Sequence, residues 1–236
     1  MALKTTLEST KARLNALLTY ANETTGADDT SIGDAIQTLC AGYGGGGYRI
    51  DDIADGSEPS GDIEITTTNI VHYAFHGHPN ITGVSLPNAI TVGQQAFNGI
   101  NNISKFYAPK VETFGASAFP SLKVASINLP SVVTIGSGCF TNCTTSSEIL
   151  IGRNITTIEA NAFRNFATFN SVTSMTVRIL GTPNSIASNI FNSAKTGDIY
   201  VPWAEGAVAN APWGATGATI HYNTVFDENG NVISSD

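Results

Sequence analysis

The stretch Val124-Ala-Ser-Ile-Asn-Leu-Pro-Ser-Val-Val-Thr-Ile-Gly-Ser-Gly-Cys-Phe-Thr-Asn-Cys143 holds three apolar groups separated by turn residues. The first group, Ile127-Asn-Leu129, alternates apolar and polar residues and is followed by Pro130, which predicts a short strand that ends at the proline. Val132-Val-Thr-Ile135 forms a second apolar ridge, and Cys139-Phe140 forms a third. One such unit is too short to bury three apolar groups by itself, so it predicts stacking against similar units.

The same unit recurs along the chain. A small or apolar residue precedes Phe at six positions: Ala74-Phe75, Ala96-Phe97, Ala118-Phe119, Cys139-Phe140, Ala162-Phe163 and Ile190-Phe191. The phenylalanines are spaced 22, 22, 21, 23 and 28 residues apart. Strand-like units accompany them at Ile63-Glu-Ile65, Val84-Ser-Leu86, Phe106-Tyr-Ala108, Ile127-Asn-Leu129, Ile149-Leu-Ile151, Val177-Arg-Ile179 and Ile199-Tyr-Val201. We therefore expect a curved solenoid whose strands pair in parallel.

This pattern resembles the BspA-type leucine-rich repeat, in which Leu-x-x-Ile-x-Leu-Pro is followed by Val-x-x-Ile-Gly-x-x-Ala-Phe-x-x-Cys. The resemblance covers about residues 62–202 and implies a solenoid with a parallel β-sheet on its concave face. Two departures occur, since Gly152-Arg153 replaces the usual ending and Ala167 to Ser174 is inserted, which predicts a bulged loop.

The predicted fold class is α+β, because helices are expected before the solenoid. Residues 3–21 place Leu3, Leu7, Leu14 and Leu17 at the a and d spacing of a coiled-coil seam. This stripe fits either a single amphipathic helix packed on its neighbour or a parallel oligomer, with a trimer favoured. Ile32, Ala35, Ile36 and Leu39 predict a second helix and so an N-terminal helical hairpin over residues 1–43, followed by a Gly-rich and polar linker over 44–61.

The N-terminal segment, with Asn22-Glu-Thr-Thr-Gly26 and Gly33-Asp-Ala-Ile-Gln-Thr-Leu-Cys-Ala-Gly-Tyr-Gly44, resembles the attachment segments of bacteriophage tail and fibre-like proteins. The resemblance implies a virion location, assembly in the host bacterial cytoplasm and contact with other virion proteins through this segment. The first residues contain no apolar core of a secretion signal, which fits that expectation.

Residues 203–236 are predicted to cap the solenoid. Trp203 to Trp213 suggests a short helical turn, Thr219 to Tyr222 a strand, and Val225 to Ile233 a β-hairpin with its turn at Asn229-Gly230. An alternative makes the two tryptophans a sugar-stacking platform.

Composition narrows the function classes. The chain has 236 residues, of which 42% are hydrophobic and 13% charged, and its net charge is −8. The absence of Lys and Arg runs makes nucleic acid an unexpected partner, and no apolar stretch is long enough to predict membrane insertion. Cys40, Cys139 and Cys143 are too few for a disulfide framework.

No catalytic constellation and no cofactor motif is predicted. Gly42 to Gly47 satisfies G-x-G-x-x-G only formally, because no strand precedes it. Cys139 and Cys143 occupy repeat positions and are expected to be buried structural thiols. His76 and His78 leave two alternatives, exposed turn residues or a metal-binding pair like those of trimeric phage fibres, and the first is preferred, so no metal is expected.

Residues that alternate with the inward side chains of the strands are expected to face outward on the concave sheet. The candidate binding residues of this row are Lys105, Tyr107, Asn128, Glu148, Leu150, Arg178, Asp198 and Tyr200. Aromatic residues and Arg often anchor interfaces, although an ordinary solvated sheet face is the alternative.

These features predict a non-enzymatic bacteriophage virion protein of the tail fibre or baseplate type, which adheres to a host surface protein or glycan. The alternatives are a passive tail or capsid decoration protein and a bacterial surface adhesin or interaction scaffold. A glycan-degrading fibre is the least favoured hypothesis.

Overall fold

The computed structural model describes residues 60–145, 147–168 and 174–236, and these residues form strands and turns without a helix. The solenoid prediction is confirmed, whereas the α part of the α+β prediction is not seen here. The predicted helical hairpin over residues 1–43 and most of the linker over 44–61 lie outside the described residues, as do Leu3, Leu7, Leu14 and Leu17. The prediction of a short helical turn between Trp203 and Trp213 is wrong, because this segment forms non-helical turns and bends.

The main ladder, which consists of a three-stranded and a five-stranded parallel sheet, holds the strands that the apolar-x-apolar units predicted. Its strands are β1 (Gly61–Glu64), β3 (Ile81–Ser85), β5 (Lys105–Tyr107), β8 (Ile127–Leu129), β11 (Glu148–Ile151), β14 (Met175–Ile179), β16 (Thr196–Tyr200) and β17 (Thr219–His221). All pairings are parallel, and the ladder is interrupted between β5 and β8. The outward side of these strands is called the ladder face below, and it corresponds to the predicted concave face. The ladder continues through β17, one strand beyond Pro202.

Two further parallel ladders run along the solenoid, one with six strands and one with three. The apolar ridge of the sequence forms the second one, with β2 (Asn69–Ile70), β4 (Thr91–Val92), β6 (Thr113–Phe114), β9 (Thr134–Ile135), β12 (Thr157–Ile158) and β15 (Ser185–Ile186). The third consists of β7 (Lys123–Val124), β10 (Thr144–Thr145) and β13 (Ala167–Thr168). Ala167–Thr168 is therefore a strand and not the start of a loop, while 169–173 are not described.

A column of phenylalanine rings forms the centre of the core. Phe75, Phe97, Phe119, Phe140, Phe163 and Phe191 stack in sequence, with ring centroids 4.4 to 6.3 Å apart and interplanar angles between 7° and 24°. The first of these rings is 7% exposed and the others are fully buried. The repeat period thus fixes the core, because each unit adds one ring to the column.

Five of the six phenylalanines of the column sit between two left-handed backbone positions, and Phe191 has only the second of them. The positions two residues before and two residues after the ring, where φ is positive, are Tyr73 and Gly77, Gln95 and Gly99, Ser117 and Ser121, Gly138 and Asn142, and Asn161 and Asn165. Asparagine tolerates this conformation better than most residues. Asn165 also donates its side-chain N–H to the Asn142 side-chain oxygen at 3.0 Å, which links consecutive turns.

Gly152 explains one departure from the repeat. A Cβ at this position would lie 2.0 Å from the carbonyl oxygen of Pro130, so the chain passes too close to the preceding turn for any side chain. The Gly152 N–H donates to the Leu129 carbonyl at 3.0 Å and holds this close approach.

Gly152→Ala is therefore expected to destabilise the protein by about 3 kcal/mol, since backbone and not a flexible side chain must move. Urea denaturation followed by circular dichroism measures the change. Gly206→Ala is the control, because a Cβ there meets nothing within 4 Å, although its φ of +81° carries strain of its own. Equal losses for the two variants would contradict the close-approach explanation.

A two-stranded antiparallel hairpin, β18 (Val225–Phe226) and β19 (Val232–Ser234), ends the chain as predicted. Trp203 is 5% exposed and Trp213 fully buried, so the sugar-platform alternative for these residues is wrong. Within the described ranges, no helix has the length and apolar character needed to cross a membrane.

Candidate binding surface

The ladder face carries two columns of outward side chains in register. One column runs through Asp62, Gly83 and Lys105 and resumes at Glu148, and the other runs through Glu64, Ser85 and Tyr107 and resumes at Asn128. The second column continues through Leu150, Arg178, Tyr200 and His221. The strand pairing turns the candidate residues outward, as the alternation in the sequence predicted. Their environments, however, differ along the face.

The N-terminal half of the face is exposed. We call Asp62, Glu64, Lys105, Tyr107 and Asn128 the open row, because all five are exposed. Tyr107 is 58% exposed, which makes it one of four large hydrophobic residues with high exposure in the described chain. An aromatic ring surrounded by charged and amide groups suits contact with either protein or glycan.

Gly83 allows two of the three charged side chains of the open row, Asp62 and Lys105, to meet. Lys105 forms an ion pair with Asp62 across the intervening strand β3, and a Cβ at Gly83 would lie 2.5 Å from the Asp62 carboxylate. Hydrogen bonds from the Lys105 ammonium and from the Thr82 hydroxyl lower the pKa of Asp62 from its ordinary value of 3.8. The open row therefore presents an exposed pair of opposite charges beside Tyr107.

The C-terminal hairpin contacts the middle of the ladder face. Arg178 pairs with Glu148 and also donates from Nη1 to the Gly230 carbonyl at 2.8 Å. A Cβ at Gly230 would lie 3.0 Å from Leu150 Cδ1. Glu148, Leu150 and Arg178 are half-buried, so the structure places these candidate residues against the chain's own hairpin and apart from the open row.

Arg153 fixes the hairpin from one side. Its Nη2 donates to the Asp227 carbonyl at 2.6 Å and lies 3.5 Å from the Phe226 carbonyl. Sequence reasoning identified Arg153 only as a departure from the repeat. That departure was the available signal, although nothing in it indicates which distant residue the guanidinium contacts.

A third group lies at the C-terminal end of the face. The Tyr200 and His221 rings are stacked with centroids 4.3 Å apart, and His221 Nε2 lies 2.8 Å from Asp198 Oδ1. Sequence reasoning included Tyr200 and Asp198 but missed His221. Its signal was the strand expected at Thr219 to Tyr222, which, when placed in the parallel register, puts His221 beside Tyr200.

The loop of the hairpin is organised by one carboxylate. Asp227 accepts hydrogen bonds from the Asn231 side chain at 2.8 Å and from the backbone N–H groups of Asn231 and Asn229 at 2.8 and 2.9 Å. The Asn231 side chain is the largest cause that lowers the pKa of Asp227 from 3.8. These bonds need the ionised carboxylate, so they are present above the ordinary pKa and are lost as the pH falls through the lowered one.

We therefore expect the Asp227 carboxyl carbon to titrate below pH 3.8 in an NMR experiment. The N–H groups of Asn229 and Asn231 should lose protection from exchange over the same pH range. Asn231→Ala removes the main cause of the shift and should move the midpoint back towards 3.8. A wild-type midpoint at or above that value would contradict this loop geometry.

The predicted structural thiols are buried, and one of the two candidate histidines is exposed. Cys139 and Cys143 are buried as expected, and burial raises the pKa of Cys143 to about 12, while Cys40 lies outside the described residues. His76 is exposed on a turn with its ring against Tyr73. Within the described ranges, no cluster of three or more His, Cys, Asp or Glu residues could hold a metal ion.

Comparison with known proteins bears on the repeat region. The family model described as "BspA type Leucine rich repeat region" matches residues 68–198 in six copies. No curated protein and no solved structure matches the chain. The match spans more than half of the chain and the same turns that form the three ladders, and the chain therefore belongs to the BspA-type leucine-rich-repeat family.

Proposed function

We propose that this chain is a non-enzymatic bacteriophage virion protein of the tail fibre or baseplate type, which binds a host surface component through the open row. The observation that supports binding is the 58% exposure of Tyr107 beside the Lys105–Asp62 pair. Large exposed aromatic residues on an ordered surface are common anchors of recognition. A sheet held in register presents such side chains at fixed spacing, which lowers the entropy cost of binding.

The virion assignment is supported by the resemblance of residues 22–44 to phage attachment segments. In this proposal the N-terminal residues hold the protein to other virion proteins, and Leu3, Leu7, Leu14 and Leu17 form the seam of a homotrimer. The mass of the full chain in solution tests the seam. Leu7→Asp should convert a trimer to monomer and Lys11→Asp should not, whereas a wild-type monomer would refute the seam.

The binding proposal is tested by incubating the purified full chain with envelope fractions of the host bacterium. We expect retention of the protein without release of sugars. Tyr107→Ala should weaken retention about tenfold, the effect of losing one anchor worth about 1.4 kcal/mol. Thr113→Ala is the control, because Thr113 is also exposed but lies on the second ladder.

Each outcome of this experiment has a defined meaning. Released sugars would refute the non-enzymatic function and favour a glycan-degrading fibre. Equal retention of the Tyr107→Ala and wild-type proteins would refute the open row as the binding surface. Absence of retention would refute host binding altogether and favour passive decoration of the tail or capsid.

Passive decoration is the second candidate, and one observation favours it. The hairpin contacts Leu150 and Arg178, so part of the face expected to bind a partner is already occupied by the chain itself. A bacterial surface adhesin would use the open row in the same way, and only the N-terminal resemblance separates it from the phage proposal.

A further inference from the structure

The tip of the hairpin lies in a site of defined chemistry on the ladder face. We call Leu150, Arg153, Arg178 and Leu180 the seat. Gly230 is buried, and a Cβ on it would lie 3.0 Å from Cδ1 of Leu150 and of Leu180. The two guanidinium groups donate to main-chain carbonyls of the hairpin, Arg153 to that of Asp227 and Arg178 to that of Gly230 itself. The seat therefore combines two leucine side chains packed closely against a glycine with two cationic donors.

The hairpin is bound to the seat through its main chain. Three of its four large apolar side chains are exposed, since Val225, Val232 and Ile233 are 50%, 38% and 66% exposed, and Phe226 is half-buried. Every residue of β19 is exposed. A two-stranded hairpin is at best marginally stable by itself. Apart from Phe226, the large apolar side chains of this hairpin bury little area against the solenoid. Its release should therefore cost little compared with unfolding of the solenoid.

The contacts also define what else the seat accepts. Gly230 has a φ of +82°, which side chains rarely adopt, and its carbonyl meets Arg178. Guanidinium groups bind carbonyl and carboxylate oxygens strongly. A tight polypeptide turn with glycine in the left-handed position presents carbonyls on both sides of a bare Cα, and no sugar ring has that shape.

We propose that the seat is a docking site for a glycine-containing β-turn of a partner polypeptide, and that the chain's own hairpin is its resident occupant. A partner turn binds by displacing the hairpin, which exposes Leu150 and Leu180 for burial against the partner. This inference rests on the proposed binding function and names protein, not glycan, as the partner class for this half of the face.

The experiment uses the full chain and a synthetic peptide with the sequence of residues 224–236. In the Gly230→Val chain, the φ of +82° strains the new residue and its side chain presses on Leu150 and Leu180, so we expect the hairpin to leave the seat. We expect this chain to bind the wild-type peptide saturably below about 1 mM, the order of the effective concentration of a tethered segment. The wild-type chain should bind it at least tenfold more weakly, because its own hairpin fills the seat.

Two controls test whether the effect comes from Gly230 itself. The Gly206→Val chain has a similar positive φ but no neighbour within 4 Å, and it should behave as wild type towards the peptide. A peptide that carries Gly230→Val should not bind either chain. If the Gly230→Val chain fails to bind the wild-type peptide, or binds both peptides equally, the proposal is overturned.

A second measurement covers the case in which Gly230→Val does not fold. The full chain with Arg153→Ala and Arg178→Ala loses both guanidinium contacts to the hairpin. Hydrogen exchange at Asn229 and Asn231 should then rise at least tenfold while β11 and β14 keep their protection. Unchanged exchange in the hairpin would refute a releasable occupant.

The outcome is separable from that of the proposed function. Peptide binding without retention on envelope fractions would support the seat and refute only host binding. Retention without peptide binding would leave the open row as the binding surface and refute only the seat.

Discussion

Phe140→Ala is expected to lower the free energy of unfolding by about 3–5 kcal/mol, the usual cost of removing a buried phenylalanine ring. Phe140 is fully buried at the middle of the ring column. Its centroid lies 5.4 Å from that of Phe114 and 5.6 Å from that of Phe163, so it contacts both the preceding turn and the next. The cavity would interrupt the ring column. The described residues form a single core cluster, so no second core compensates for the loss. Urea denaturation measures the loss.

Tyr107→Ala is the control for this experiment. Its ring is 58% exposed, and surface substitutions of this kind usually change stability by less than about 0.5 kcal/mol. If Phe140→Ala cost no more than Tyr107→Ala, the ring column would not be the stabilising core of the fold.

Trp213→Ala should also lower the free energy of unfolding by about 3–5 kcal/mol. In contrast to Phe140→Ala, its effect should be concentrated in the last turns of the solenoid. Trp213 is fully buried, its carbonyl accepts the N–H of Phe191 at 3.0 Å, and its indole N–H donates to Ala209 at 2.8 Å. It follows Phe191 by one repeat period of 22 residues and closes the last turn. Because each turn contacts only its neighbours, loss of a cap should first loosen the adjacent turn.

Hydrogen exchange monitored segment by segment measures this effect. We expect β15 and β16 to lose protection in the Trp213→Ala protein while β3 and β4 retain it. Val225→Ala, an exposed substitution near the same end, should leave the pattern unchanged. A uniform loss of protection along the solenoid would contradict the capping role of Trp213.

The main ladder could be predicted because its signal is local. In Ile127-Asn-Leu129 the side chains alternate between core and surface within three residues, and 22-residue periodicity repeats the pattern often enough to fix the register. The third ladder was missed because Thr144–Thr145 and its partners are two-residue strands with no apolar alternation. Such strands exist only through pairing with the turns on either side.

The orientation of the candidate residues was also predictable, but their division into separate environments was not. Arg153 and Asp227 meet although 74 positions separate them in the sequence. The Asn-Gly turn predicts a hairpin, yet nothing in those residues specifies that its glycine packs between Leu150 and Leu180. Only the three-dimensional path of the chain after β17 determines that contact.

The most direct test of binding through the open row is hydrogen exchange of the full chain with and without bound host envelope material. We expect protection on binding to appear in β3, β5 and β8, the strands that carry or flank Lys105, Tyr107 and Asn128. The second ladder, from β4 to β12, should exchange as in the free protein. Protection confined to that second ladder, or no change in β5, would contradict the proposed binding surface.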